Sequence, residues 1–312
     1  MAIKSIIKIL LLVSLLVPIG TFAADKPISN VFVFGDSLSD TGNLASLPQY
    51  SFLNSSPFNH GYTNGLFAVE VLAKYLRLKV NPSLHLIGSP KGTNYAVAGA
   101  TAGSTGNPQI NLTSQVDTFL SYHANSAPKD ALYIIFIGGN DVSDALENQG
   151  VPVITNAVQA VDDNIRTLIL AGAKAILVVN VPDLGLTPKI RSLGMNVAHL
   201  ASTLTNEFNS DLLAHLNNIE KDLRVDIVDF DLYQLSHIVA DHSISMGYTN
   251  STKACFDSDP TKLDYINGCH SSANFEDYFY FDDFHPTKVT HERIGRALYS
   301  IVPELPELPV RH

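Results

Sequence analysis

Tryptophan is absent from this chain of 312 residues, which has only three methionines and two cysteines. Charge is sparse as well: Asp, Glu, Lys and Arg together make up 16% of the residues. No basic run is longer than two residues, and 20 basic against 30 acidic side chains leave a net charge of −10. A protein that grips nucleic-acid phosphates by charge is excluded on that ground. Neither Cys-x-x-Cys nor His-Glu-x-x-His occurs, so no metal site is expected. Internal repeats of 20–50 residues and low-complexity tracts are missing too, which argues against a solenoid.

What the chain does have is apolar residues, at 46%, enough to bury a sizeable core. Its length suits one large α/β domain. Residues 1–23 read as a secretory signal peptide: Lys4 and Lys8, an apolar stretch over 9–19, then Thr21-Phe22-Ala23 before the cut. That stretch is short for a membrane anchor, and no cysteine near the cut offers a lipid attachment. The domain is then 24–312, and the protein is expected outside the cytosol, secreted or periplasmic. In that compartment Cys255 and Cys269 are expected to form a disulfide around a loop, worth about 3 kcal/mol.

Apolar runs alternate with helical periodicities along the chain. Strands are expected at 30–34, 94–98, 131–137, 175–181 and 225–230. Helices are expected at 65–78, after Asn111, at 152–171, 195–222 and 287–302, with Asn111 as an N-cap. The polar stretch 241–278, which holds both cysteines, reads as a long excursion without a core of its own. Such alternation implies a parallel sheet covered by helices on both faces. Chemistry in such sheets sits beyond the carboxyl ends of the strands. Gly35-Asp36-Ser37, Gly99 and Gly138-Gly139-Asn140 share that rim.

Four pieces at that rim suit acyl transfer. Ser37 follows the first strand on a glycine turn, where a hydroxyl is exposed as a nucleophile. His285, in Asp282-Asp283-Phe284-His285-Pro286, is the candidate base. The acid three residues before it, Asp282, can fold back to fix its tautomer. Asn140 and Gly99 offer N–H groups for an oxyanion. Each piece alone is ordinary turn chemistry.

Together these motifs resemble the GDSL esterase/lipase family, also called SGNH hydrolases. Gly35-Asp36-Ser37-Leu38, extended through Asn43, is similar to the first family block. Asn94 to Ala100, Gly138-Gly139-Asn140-Asp141 and Asp282-x-x-His285 are similar to the others. Tyr62-Thr63-Asn64-Gly65 and Val181-Pro182-Asp183-Leu184-Gly185 resemble secondary signatures, and Phe67 departs from a tryptophan common in the family. The resemblance implies a flavodoxin-like, three-layer α/β/α sandwich and a Ser37–His285–Asp282 triad. It also implies an oxyanion hole of the Ser37 and Gly99 N–H groups and the Asn140 side chain, and no cofactor.

Within the family the chain is similar to secreted bacterial lysophospholipases and glycerophospholipid:cholesterol acyltransferases. That implies a lysophospholipid or phospholipid substrate and a sterol as a second acceptor. The alternative is a carbohydrate or short-chain acyl esterase. With ten residues after Val302, the C-terminal barrel of autotransporter members is not expected. Leu44, Leu47, Tyr50, Phe52 and Leu53 either line an acyl groove or pack in the core. The loop 255–269 is expected to be a disulfide-tied lid beside the site, open to an activating protease, or else a simple staple.

Overall fold

The computed structural model describes residues 28–302 except 104, 148 and 149. The expected signal peptide lies outside the described residues. Four parallel strands form the central sheet: β1 (Asn30–Gly35), β2 (Ala131–Phe136), β3 (Ala175–Val179) and β4 (Val228–Phe230), in that spatial order. Every residue of β2 is buried, as a strand covered on both faces requires.

Side-chain alternation sorts the strands into two layers. Phe32, Phe34, Tyr133 and Ile135 face one cluster with α2 (Leu112–Tyr122), α3 (Gly139–Glu147), α4 (Val151–Ala171) and α6 (Met195–Leu223). Val31, Val33, Leu132 and Ile134 face the other, with α1 (Ala68–Tyr75), α7 (Leu232–His242) and α8 (Lys288–Ile301). The short α5 (Pro188–Ser192) precedes α6. The result is the expected three-layer α/β/α sandwich.

The strand expected at 94–98 does not form a regular strand, although it occupies a fifth lane. Val33 donates to the Thr93 carbonyl at 3.1 Å, and Tyr95 and Val97 donate to Val33 and Gly35 at 2.7 and 3.1 Å. Its outer carbonyls are taken by a side chain instead of a strand: Asn43 Nδ2 donates to Asn94 and Ala96, each at 2.8 Å. With that lane included, the order is the flavodoxin-like one.

The expected strand 225–230 shortens to β4. The Val225 and Ile227 N–H groups turn back to the Glu220 carbonyl and carboxylate, and Arg224 ends α6 in a left-handed conformation. The helix expected at 65–78 starts three residues late, because Glu70 Oε2 takes the Phe67 N–H at 2.9 Å and sets the start there. Asn111 caps α2 as expected, accepting from Ser114 at 2.9 Å.

The excursion is less plain than its sequence. It carries β5 (Asn250–Ala254), β6 (Phe256–Asp257) and β7 (Asp264–Tyr265), and leads to β8 (Tyr278–Tyr280). β5 pairs with β8, and β6 with β7. It also shares a buried cluster with an earlier segment. Cys255, Phe256, Cys269, Phe275 and Phe281 pack with Leu44, Leu53 and Phe58. Neither stretch has enough apolar surface alone, and the pairing of the two was invisible to a reading along the chain.

Candidate active site

Ser37 stands two residues past the end of β1. Gly35 allows β1 and β2 to close up there, since a Cβ would collide with the Phe136 carbonyl oxygen. The turn is held by its own acid: Asp36 Oδ1 accepts the Leu38 N–H at 3.0 Å, and the Asp36 carbonyl accepts from Ser39 and Asp40. Ser37 Oγ lies 2.8 Å from His285 Nε2.

The other face of that imidazole is equally tied. His285 Nδ1 lies 2.8 and 3.0 Å from the two oxygens of Asp282. Asp282 also accepts the N–H groups of Phe284 and His285 at 3.0 and 2.8 Å. Burial would raise the Asp282 carboxyl; the His285 imidazole and these donors outweigh it and hold the group below its ordinary value. An ionised Asp282 only accepts, so Nδ1 carries the proton and Nε2 is free to accept from Ser37. The neighbouring acid, Asp283, is exposed and does not reach the imidazole; its carbonyl accepts the Lys189 N–H.

The loop 59–65 braces this segment. The Tyr62 ring stacks on the His285 imidazole at 4.8 Å and 16°. Thr63 Oγ1 donates to the Pro286 carbonyl at 3.2 Å, and Asn64 accepts the Lys288 N–H at 2.8 Å. Burial pushes the Tyr62 hydroxyl up to about 12, so the ring facing the histidine stays neutral.

Gly99 and Asn140 come from the ends of the two lanes that flank β1. Gly99 has φ +83°, the third position of a turn closed by Ala100 N–H to Val97 carbonyl at 3.0 Å. A non-glycine residue is strained there. Among the described residues, neither the Gly99 nor the Ser37 N–H has a hydrogen-bond acceptor. Asn140, in the first turn of α3, donates one amide hydrogen to the Ala100 carbonyl at 2.8 Å. That bond orients the amide and leaves its second hydrogen uncommitted.

Buried acids clamp these loops together. Asp40 accepts Gly42, Asn43 and Leu44 from its own turn and Ala98 from the Gly99 turn, at 2.7–3.0 Å. Asp141 accepts Ala102 and Gly103 at 2.9 and 3.0 Å. Burial pushes Asp36 up to about 7 and Asp141 up to about 6, against the donors they accept.

The sequence quoted Asp40, Asn43, Asp141 and Tyr62 only as letters of motifs. The local turns of Asp40 were readable from spacing, whereas its bond to Ala98 and the Tyr62 stack join distant segments. Leu44 and Leu53 are core residues, and the partly buried Leu47, Tyr50 and Phe52 pack against that cluster.

The Cys255–Cys269 disulfide is present, with both cysteines buried. Its base adjoins the site: Cys255 and Phe256 donate to the Tyr280 and Phe281 carbonyls at 3.2 and 2.8 Å. Its tip, 259–264, is exposed, as are Asn267 and Gly268 before Cys269. Among the described residues, no cluster of three or more His, Cys, Asp or Glu could hold a metal ion, and no helix is long and apolar enough to cross a membrane.

Known proteins show similarity throughout this region. "Lipase 1" of Photorhabdus luminescens is 33% identical over 204 residues, 64% of this chain; the match spans 29% of that protein's length. "Thermolabile hemolysin" of Vibrio parahaemolyticus is 28% identical over 292 residues, covering 88% of this chain and 65% of that one. The solved structure of an aryl esterase from M. smegmatis is similar with a TM-score of 0.47 at 17% identity, covering 89% of this chain and 99% of that one. Residues 31–298 match the family described as GDSL-like lipase/acylhydrolase, which is nearly the whole described chain. The chain belongs to that family of carboxylic ester hydrolases.

Proposed function

We propose that the protein is a secreted lysophospholipase that releases fatty acid through an acyl-enzyme on Ser37. The observation that carries the mechanism is the unbroken relay from Ser37 Oγ through His285 to Asp282, beside two N–H groups with no acceptor.

Ser37 Oγ attacks the ester carbonyl carbon as its proton passes to His285 Nε2. The carbonyl oxygen, now an oxyanion, takes the N–H groups of Ser37 and Gly99 and the second amide hydrogen of Asn140. Asp282 holds the Nδ1–H and steadies the imidazolium. When the intermediate collapses, Nε2 returns the proton to the departing alcohol and Ser37 keeps the acyl group. Water then attacks the acyl carbon, gives a proton to Nε2, and the fatty acid leaves as Ser37 regains its hydroxyl. A sterol hydroxyl in place of that water would give acyl transfer by the same step.

Three points support a lipid substrate. The names of the relatives above include a lipase and a hemolysin, and the sequence resembles lysophospholipases. Phe284, beside His285, leaves 37% of its surface exposed although it is apolar. A net charge of −10 gives no attraction to anionic membranes, so the substrate must come out to the enzyme. A single-chain lipid does so more readily, because each CH₂ costs about 0.8 kcal/mol to withdraw.

The test compares release of fatty acid from lysophosphatidylcholine, dipalmitoyl phosphatidylcholine and p-nitrophenyl acetate, with and without cholesterol. Lysophosphatidylcholine should be fastest, and Ser37→Ala should lower every rate by about 10⁴ or more. Faster release from the diacyl lipid, or turnover of acetyl esters alone, overturns the lipid assignment. Near-normal turnover by Ser37→Ala overturns the mechanism.

A further inference from the structure

The His285 imidazole becomes protonated twice in the reaction, once as Ser37 attacks and once as water attacks the acyl group. Its hydrogen bonds to Asp282 and Ser37 use Nδ1 and Nε2, both in the plane of the ring. The torsion that turns an imidazole about its Cβ–Cγ bond is intrinsically broad, so the plane must be set by contacts. Once Ser37 is acylated its oxygen can no longer donate, and the Asp282 bonds alone hold the ring at its edge. A contact on the ring face is what keeps Nε2 aimed through both steps.

Tyr62 makes that contact, nearly parallel to the imidazole at 4.8 Å and 16°. Phe284 meets the imidazole edge-on instead, at 6.4 Å and 65°. The Tyr62 hydroxyl has no hydrogen-bond partner among the described residues, so it is the ring that the fold holds. Phe58 stands edge-on against it at 6.3 Å and 89°, and Phe256 and Phe281 back Phe58 at 5.6 and 5.4 Å. Asn59 donates to the Thr63 carbonyl and Thr63 to the Gly61 carbonyl, each at 2.8 Å, which closes the loop around Tyr62. A Cβ on Gly61 would lie 2.6 Å from the Asp40 carbonyl oxygen, so glycine lets this loop press against the turn that carries Ser37. Thr63 and Asn64 tie the same loop to Pro286 and Lys288, just past His285. Tyr62 is therefore fastened to both halves of the catalytic apparatus.

We propose that Tyr62 is a positioning residue for the reaction: its ring fixes the plane of His285, and the negative face of that ring steadies the imidazolium. The proposal rests on the ester-hydrolase reading and adds to it a group that acts through the base. What the role requires is an aromatic face. The hydroxyl is dispensable, and an aliphatic side chain of similar bulk covers the imidazole without attracting its charge. The effect falls on the chemical steps and leaves substrate binding alone, because Tyr62 acts only through His285.

Hydrolysis of p-nitrophenyl butyrate and labelling by an alkyl fluorophosphonate test this on Tyr62→Leu, Tyr62→Met and Tyr62→Phe. Rates are taken per serine that the fluorophosphonate titrates, so a misfolded fraction does not count. Tyr62→Leu should lower kcat and the labelling rate each about tenfold and leave KM within about twofold. Tyr62→Met, equally without an aromatic face, should match it and replaces it if thermal melts show that the leucine variant does not fold. Tyr62→Phe keeps the stack and should hold both rates within about threefold of wild type. A phenylalanine variant as slow as the aliphatic ones assigns the effect to the hydroxyl and overturns the proposal. So does a wild-type kcat in the aliphatic variants, whether KM rises or not. A wild type that neither hydrolyses the ester nor takes the label overturns the ester-hydrolase reading instead.

Discussion

The two halves of the catalytic apparatus are built by different means. Ser37, Gly99 and Asn140 sit at the ends of adjacent lanes of the parallel sheet, and the backbone spacing of that sheet sets their separation. Asp282 and His285 sit beyond β8, on a segment held by side-chain tethers and by the disulfide excursion. The first half is placed by periodic apolar sequence. The second is placed by a handful of specific contacts. The first should therefore tolerate conservative change at many positions, while the second depends on a few.

The largest effect should come from the second half. Asp282→Asn leaves Nδ1 without its carboxylate, so kcat should fall by about 10⁴, while Asp283→Asn, whose carboxyl does not reach the imidazole, stays within about twofold. Steady-state kinetics on one soluble ester checks both; equal losses would break the assignment of the acid. On the sheet side, Asn140→Ala should lower kcat by about 10²–10³ with little change in KM, because the first amide bond only orients the group. A rise in KM alone would make Asn140 a binding residue.

Next comes the excursion. Cys255→Ala with Cys269→Ala releases a 14-residue separation, which should cost about 3 kcal/mol in urea unfolding. Activity should fall before the far-UV circular dichroism does, because the base of the loop is bonded to Phe281, beside Asp282. Coincident loss of the two would show that the halves are one cooperative unit.

The smallest effect concerns pH, where buried acids in the two halves run in opposite directions. Asp36 sits at about 7 when folded, against 3.8 ordinarily, so the native state holds its proton over that interval. Stability should then fall as pH rises from about 4 to 7, and Asp36→Asn should flatten the fall in urea midpoint between pH 5 and pH 7.5. Asp282 is depressed, so its contribution is present above 3.8 and lost as pH drops through its folded value. An unchanged slope in Asp36→Asn would remove the contrast.

The same division explains what the sequence made legible. The layers, the helices α2, α4 and α6 and the strand ends followed from apolar period and glycine position, which are local properties. Asn111 before an apolar helical run was enough to place a cap. Asp40 reaching Ala98, Asn43 replacing a strand partner for Asn94 and Ala96, and Tyr62 stacking on His285 are contacts across the chain, and no local pattern encodes them. The excursion misled for a related reason: Phe256 and Phe275 complete a cluster that Leu53 and Phe58 begin about 200 residues earlier.

The bond between Ser37 and His285 joins residues 248 positions apart. Closing so long a loop costs conformational entropy that shorter-range contacts must first offset. Secondary structure and the sheet can therefore assemble while the serine still lacks its base. During refolding, burst-phase circular dichroism should precede hydrolytic competence, and the serine becomes reactive only once α8 has docked on α1. Such an order keeps the nucleophile of an ester hydrolase inert until the chain is fully folded.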